Sequence, residues 1–291
     1  MESDAMHRRL VTLRTLLLAA ALSAVMSGAA AAQAELTGSW AALNTEDMSN
    51  DGLPVDYSAI PLNDEGRTRA LSYSESQLAM IERQCQGWPA WYLVQGPFGL
   101  KIWNETEPAR GAVLSYTIGA WEDKAALVIW MDGRPHPSAY AEHTRGGFTT
   151  GRWEGNTLIA RTTHLKAGVL RKNGAPSSDR ATMTTTYFRH GDLLTVLAVI
   201  EDPVYLAEPQ VLTKTFQNTP AQLSPVGPPC ITTFEGRAPG EDVPHYLPEK
   251  NPFVGEATEK FGIPREVVLG YPETLYPEYR PKLRPAAPPR N

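Results

Sequence analysis

The stretch Phe148-Thr-Thr-Gly-Arg-Trp-Glu-Gly-Asn-Thr-Leu-Ile-Ala-Arg-Thr-Thr-His164 decides the fold. β-Branched and aromatic residues fill both halves, and Glu154-Gly155-Asn156 breaks the pattern between them. That arrangement predicts an antiparallel hairpin, Phe148–Trp153 against Thr157–His164. The same signature returns downstream, where His190-Gly191-Asp192 separates Thr182–Arg189 from Leu193–Glu201. Working outward, residues 91–217 read as β throughout, with strands near 91–95, 99–104, 111–119, 125–131, 146–151, 157–164, 181–189, 193–201 and 210–217. Many short strands with turn-like spacing predict a mainly β, antiparallel barrel or strongly curved sheet, not βαβ units.

The flanks differ in composition. One helix is expected before the strands, opening at Asn63 or Asp64 and running to about Gln77. After the strands, 15 of the 25 prolines fall between Pro220 and the C-terminus. Proline cannot donate to a sheet ladder, so this zone is expected to wrap the barrel as ordered coil. It holds one helix, with Asn251 as N-cap, Pro252 at the first helical position, and Gly262 with Pro264 as the stop. The expected organisation is a signal peptide over 1–34, an N-terminal segment and β-barrel domain over 35–217, and a Pro-rich extension over 218–291.

The leader reading rests on Arg8, Arg9 and Arg14, the apolar run Leu16–Val25, and Ala32-Gln33-Ala34, an A-x-A cleavage pattern. The apolar run is shorter than the roughly 20 residues that span a bilayer. An uncleaved anchor is the competing reading. No later stretch of the mature chain is apolar enough to span a membrane, so the expected location is periplasmic or secreted. In an oxidising compartment the two cysteines, Cys85 and Cys230, are expected to pair; two buried free thiols are the alternative. A net charge of −5 without a basic run gives no electrostatic reason to bind nucleic acid.

Chemistry-bearing residues are few. Asp132-Gly133-Arg134-Pro135-His136-Pro137 follows the apolar strand Leu127–Met131, and a Pro-bounded turn at a strand end is a good place for a site. There His136 could act as base, Asp132 as its orienter and Arg134 as an anion clamp. A purely structural turn is the alternative. His164 shares a strand face with Leu158 and Ala160, which points it inward. His143, His190 and His245 complete the histidines after the leader, and no pair has preformed metal-site spacing. Glu201, Asp202 and Glu208 cluster at one sheet edge, more simply read as solvated strand terminators than as an acid–base pair. All seven tryptophans lie between Trp40 and Trp153, and Trp103, Trp130 and Tyr187 are the expected lining of an apolar or aromatic pocket. The G-x-S-x-G elbow, the P-loop and the Rossmann glycine pattern are all missing from the sequence, and no cofactor is expected.

Gly38-Ser39-Trp40 resembles the opening of lipocalin-like barrels, in which the tryptophan closes one end. Longer strings resemble a family of secreted proteins of Gram-negative bacteria with no established activity. They are Ile129-Trp-Met-Asp-Gly-Arg-Pro-His-Pro137, Phe148–Leu158, Thr162-Thr-His-Leu-Lys166, Arg171-Lys-Asn-Gly174, Arg189-His-Gly-Asp192, Glu201-Asp-Pro-Val-Tyr-Leu206 and Val243-Pro-His-Tyr246. Asn156 stands where that pattern would have Asp. The resemblance implies that His136, His164, His190 and His245 fall in recurring strings, without implying a reaction. Two functions therefore stand open. One is a protein that binds a small apolar or aromatic molecule in a lipocalin-like barrel. The other is a cofactor-free lyase, isomerase or hydrolase that uses His136, Asp132 and His164, or a metal-dependent variant of it. The A-x-A pattern makes a concrete prediction: N-terminal sequencing of protein from cells should find Glu35, within about two residues, as the first residue.

Overall fold

The structure is a computed structural model that describes residues 33–43, 57–72, 84–121, 126–171, 173–227, 229–232, 246–247 and 250–283. Residues 73–77 of the expected first helix and His245 lie outside the described residues. The chain is mainly β. Nine strands close into one barrel: β1 (Gly38–Ala42), β2 (Leu100–Thr106), β3 (Val113–Gly119), β4 (Leu127–Trp130), β5 (Phe148–Glu154), β6 (Thr157–Thr163), β9 (Thr182–His190), β10 (Leu193–Glu201) and β11 (Gln210–Thr219). Around the barrel they run β1-β11-β10-β9-β6-β5-β4-β3-β2, and β2 pairs again with β1. Two short strands, β7 (Gly168–Val169) and β8 (Pro176–Ser177), form a separate ribbon.

Both expected hairpins form. Gly155 and Gly191 stand first in their two-residue loops at φ 59°, the glycine-first pattern whose twist matches the flanking strands. Every other barrel pair is antiparallel, but β4 and β5 are parallel. Parallel neighbours need a crossover, so residues 131–147 must carry the chain from the end of β4 back to the start of β5 along the barrel wall. This segment contains the Asp132–Pro137 turn.

The inner face follows the period of two. Leu158, Ala160, Met183, Tyr187, Leu194, Val196, Ala198, Ile200 and Phe216 are fully buried, while their strand neighbours face outward. Trp40 is also buried, and its Nε1 donates to Leu36 O at 2.9 Å. The Arg189 guanidinium sits 5.2 Å over the Trp40 ring and donates to Glu35 O at 2.6 Å.

Residues 91–95 are not a strand. Tyr92–Gln95 form a helical turn, and Trp91, Tyr92, Leu93 and Val94 are all buried. A run that is apolar at every position has no alternation, so periodicity cannot separate buried strand from buried helix. Here Pro89 O and Ala90 O take the first amides and start the turn. We number the helices α1 (Asp64–Leu71), α2 (Tyr92–Gln95), α3 (Glu256–Phe261) and α4 (Arg265–Val268). Asn63 caps α1 as expected, its Oδ1 accepting from Gly66 N at 2.8 Å. The expected C-terminal helix stops at Gly262, in the left-handed conformation, but starts at Glu256 instead of Pro252. Where one helix is expected, a second short helix, α4, follows Pro264. Asn251 instead accepts from Phe253 N at 2.9 Å, which closes a turn before the helix begins.

The C-terminal coil is held to the barrel at several points. Ala120 N donates to Pro225 O at 3.0 Å, and Pro225 O passes so close to Gly119 that a Cβ there would have no room. Asp202 is buried and accepts from the Ser178 amide and hydroxyl at 2.7 and 2.8 Å and from Val204 N at 2.9 Å. It is therefore a pin for two loops, not a solvated strand terminator. Cys85 and Cys230 are bonded, with Cα atoms 5.4 Å apart. Among the described residues no helix is long and apolar enough to cross a membrane. Replacing both cysteines by alanine should lower the unfolding free energy in urea by about 2–4 kcal/mol, because the bridge closes a long loop.

Candidate functional site

The crossover between β4 and β5 lies on the outer face of the barrel. Thr150 and Thr163 both point outward, since Thr149 and Thr162 between the strands are buried. His136 lies over them: its Nδ1 is 2.7 Å from Thr163 Oγ1 and its Nε2 is 2.9 Å from Thr150 Oγ1. Thr163 Oγ1 is also 2.8 Å from His164 Nδ1, and His164 Nε2 is 2.9 Å from Ser138 O. A carbonyl only accepts, so with both imidazoles neutral one direction satisfies every link. Thr150 donates to His136 Nε2, His136 Nδ1–H donates to Thr163, Thr163 donates to His164 Nδ1, and His164 Nε2–H donates to Ser138 O. Phe148 meets the His136 ring edge-on at 5.3 Å, and His143, whose Nδ1–H donates to Leu165 O at 3.0 Å, lies 5.2 Å from the His164 ring.

His164 does not point into the barrel as alternation suggested. Its φ of 57° places it in the left-handed region just after β6 ends, and this turns the side chain out to Thr163 and Ser138. Asp132 does not orient His136 either. Its carboxylate holds Arg134, with Nε at 2.9 Å from both oxygens and Nη2 at 2.6 Å from Oδ2. The Arg134 guanidinium in turn lies 3.6 Å over the Trp130 ring. The Asp132 carboxyl is held below its ordinary range chiefly by the hydrogen bond from Arg134. The turn thus forms two separate clusters, Asp132–Arg134–Trp130 and His136–Thr163–His164. Both nitrogens of His136 are occupied by the fold, and among the described residues no group of His, Cys, Asp and Glu could hold a metal.

The expected pocket residues also divide. Trp103 and Trp130 lie on outward-facing, partly buried rows of β2 and β4, whereas Tyr187 is inside the barrel. The interior holds polar groups that an apolar core does not need. The Thr185 and Tyr187 hydroxyls, two residues apart on the same inner face of β9, are buried side by side; Thr185 acts on the Tyr187 phenol, and beyond each other neither meets a hydrogen-bonding partner among the described residues. Lys214 is buried on the inner face of β11 between Leu212 and Phe216. Its Nζ donates to Gly96 O and stands 5.2 Å from the Phe216 ring centroid. Among the described residues no carboxylate pairs with it, and burial pushes its pKa down to about 8. Sequence reasoning missed Lys214, although alternation from Gln210 to Phe216 puts it on the same face as Leu212 and Phe216.

Comparison with protein-family models, with curated proteins and with solved structures finds no match for this chain. What the fold defines is a closed β-barrel with a mostly apolar, partly polar interior.

The His136 network has a pH signature. Partial burial, then Arg161 and His164, lower the His136 pKa below its ordinary 6.5. The unfolded chain then binds the proton more readily, so the contribution is present above about 6.5 and is lost as the pH falls through the lower folded value. The melting temperature should drop between pH 7.5 and pH 5, and drop less in His136→Gln. Thr163→Val, which breaks the middle of the chain of bonds, should cost about 1 kcal/mol at neutral pH by chemical unfolding.

Proposed function

We propose that this chain is an exported protein that holds a small, mostly apolar or aromatic molecule inside its barrel. The observation that carries this reading is the pair of buried hydroxyls, Thr185 and Tyr187, on an inner face they share mainly with Leu, Ile, Val, Ala, Met and Phe. Two buried hydroxyls with only each other for company leave part of their hydrogen-bonding capacity unmet, at a cost of about 1–3 kcal/mol, and a ligand with one polar group placed among apolar walls removes that cost. Export is supported by the Arg8–Ala34 pattern and by the Cys85–Cys230 bond, a cross-link that belongs to oxidising compartments. The acid–base alternative draws less support, because Asp132 is bonded to Arg134 and both His136 nitrogens are bonded to threonines.

Native mass spectrometry of protein isolated from cells should show an adduct of a few hundred daltons that is lost on denaturation. The neutral fluorophore N-phenyl-1-naphthylamine should bind the delipidated protein and be displaced by the released material. Tyr187→Phe should weaken the natural ligand about fivefold, the loss of one buried hydrogen bond. Protein that carries no adduct and takes up no fluorophore would remove the reading.

A further inference from the structure

We propose that Lys214 makes the barrel selective for amphiphiles that end in a single carboxylate, an inference that rests on the interior binding site proposed above. The register places Leu158, Tyr187, Val196 and Lys214 in one row across β6, β9, β10 and β11, all on the inner face. Tyr187 and Lys214 are two strands apart, about 10 Å between backbones. A lysine chain and a tyrosine ring reaching into the interior can meet over that span, so one carboxylate can take a hydrogen bond from each.

The position of Lys214 in the wall is also particular. β1 ends at Ala42, opposite Phe216, so among the described residues no strand pairs with the β11 residues before Phe216 on that side. Leu43 N still reaches Thr215 O at 3.2 Å. Beyond that point Lys214 is bonded to Gly96 O, directly after α2, so residues 91–96 come up to the wall just past β1. Residues 91–99, Trp-Tyr-Leu-Val-Gln-Gly-Pro-Phe-Gly, contain no charged side chain. The inner faces of β1 and β10 contribute none either; the ionisable groups that the other described elements turn inward are Tyr187 and Arg189 on β9, the latter held over Trp40, Tyr116 on β3 and Tyr92 on α2.

A buried ammonium with one carbonyl and one ring for company is under-compensated, because it has three donors and a full charge. A carboxylate supplies the opposite charge and two strong acceptors. One cation offsets one charge, which favours a monocarboxylate over a phosphate monoester. The apolar wall around it accommodates an aliphatic or aryl body. The depressed pKa is the expected signature of such a lysine before the anion arrives, and the amine is still mainly protonated at neutral pH.

The test is calorimetric titration of the full delipidated protein at pH 7 with decanoate and with decanol. The expected result is that the wild type prefers decanoate. Lys214→Met should weaken decanoate at least tenfold and change decanol less than threefold. A variant that binds decanoate as tightly as the wild type, or a wild type that prefers decanol, overturns the inference while leaving interior binding intact. If neither ligand nor N-phenyl-1-naphthylamine binds the wild type, interior binding itself fails and the inference with it. Should circular dichroism show that Lys214→Met does not fold, the wild type alone decides. Decanoate affinity must then fall as pH rises from 7 to 10.5 and the amine loses its proton, while decanol affinity stays level. A level decanoate profile overturns the proposal.

Discussion

Nine strands exclude water from a common interior only if no edge is left open, and here closure depends on five residues, Gly38–Ala42. β1 pairs with β11 on one side and β2 on the other, and so joins the last strand of the chain to the early ones. Closure removes the exposed edges that would otherwise recruit other strands. It also makes polar atoms buried on the inner face expensive, because burial takes them out of bulk water. That is why Thr185, Tyr187 and Lys214 stand out among the buried residues, and why they carry more functional meaning than equally polar side chains outside. β1 is half the length of β11, and beside Lys214 it is Gly96 that reaches the lysine.

A second constraint comes from the parallel pair β4 and β5. Two strands that run the same way cannot be joined by a tight turn, so residues 131–147 return along the outer face. That strap is short of apolar residues and has no regular strand of its own, so it is fastened by side chains. Asp132 and Arg134 fix its start over Trp130, the His136–Thr163–His164 bonds fix its middle, and Thr144 N to His164 O at 2.9 Å fixes its end. The histidines that look most chemical in the sequence thus have a mechanical use: imidazole offers a donor and an acceptor on opposite edges of one ring and bridges two strands.

The long-range clasps share one logic. Asp202 gathers amides from the Ser178 loop and from Val204, and the Cys85–Cys230 bond ties the region before α2 to the proline-rich coil. Proline-rich coil has no ladder of its own to hold it, so it docks through discrete contacts such as Pro225 O with Ala120 N.

By itself the sequence determined the period of the strands, the two glycine-first hairpins, the N-cap at Asn63, the Gly262 stop and, given an exported chain, the cysteine pairing. All of these are local or compositional: they depend on residue type within a few positions, or on there being two cysteines to pair. The tertiary structure alone decided which strands are neighbours, and from that the rest of the site follows. The parallel β4–β5 pair sent the Asp132–Pro137 turn outside the barrel, and a left-handed backbone at His164 cancelled an alternation that held through Thr162. The same alternation did place Lys214 on an inner face, but only closure of the barrel by β1 turned that face into a buried interior. Strand order and closure join residues more than a hundred positions apart, and local residue patterns carry no information over such separations.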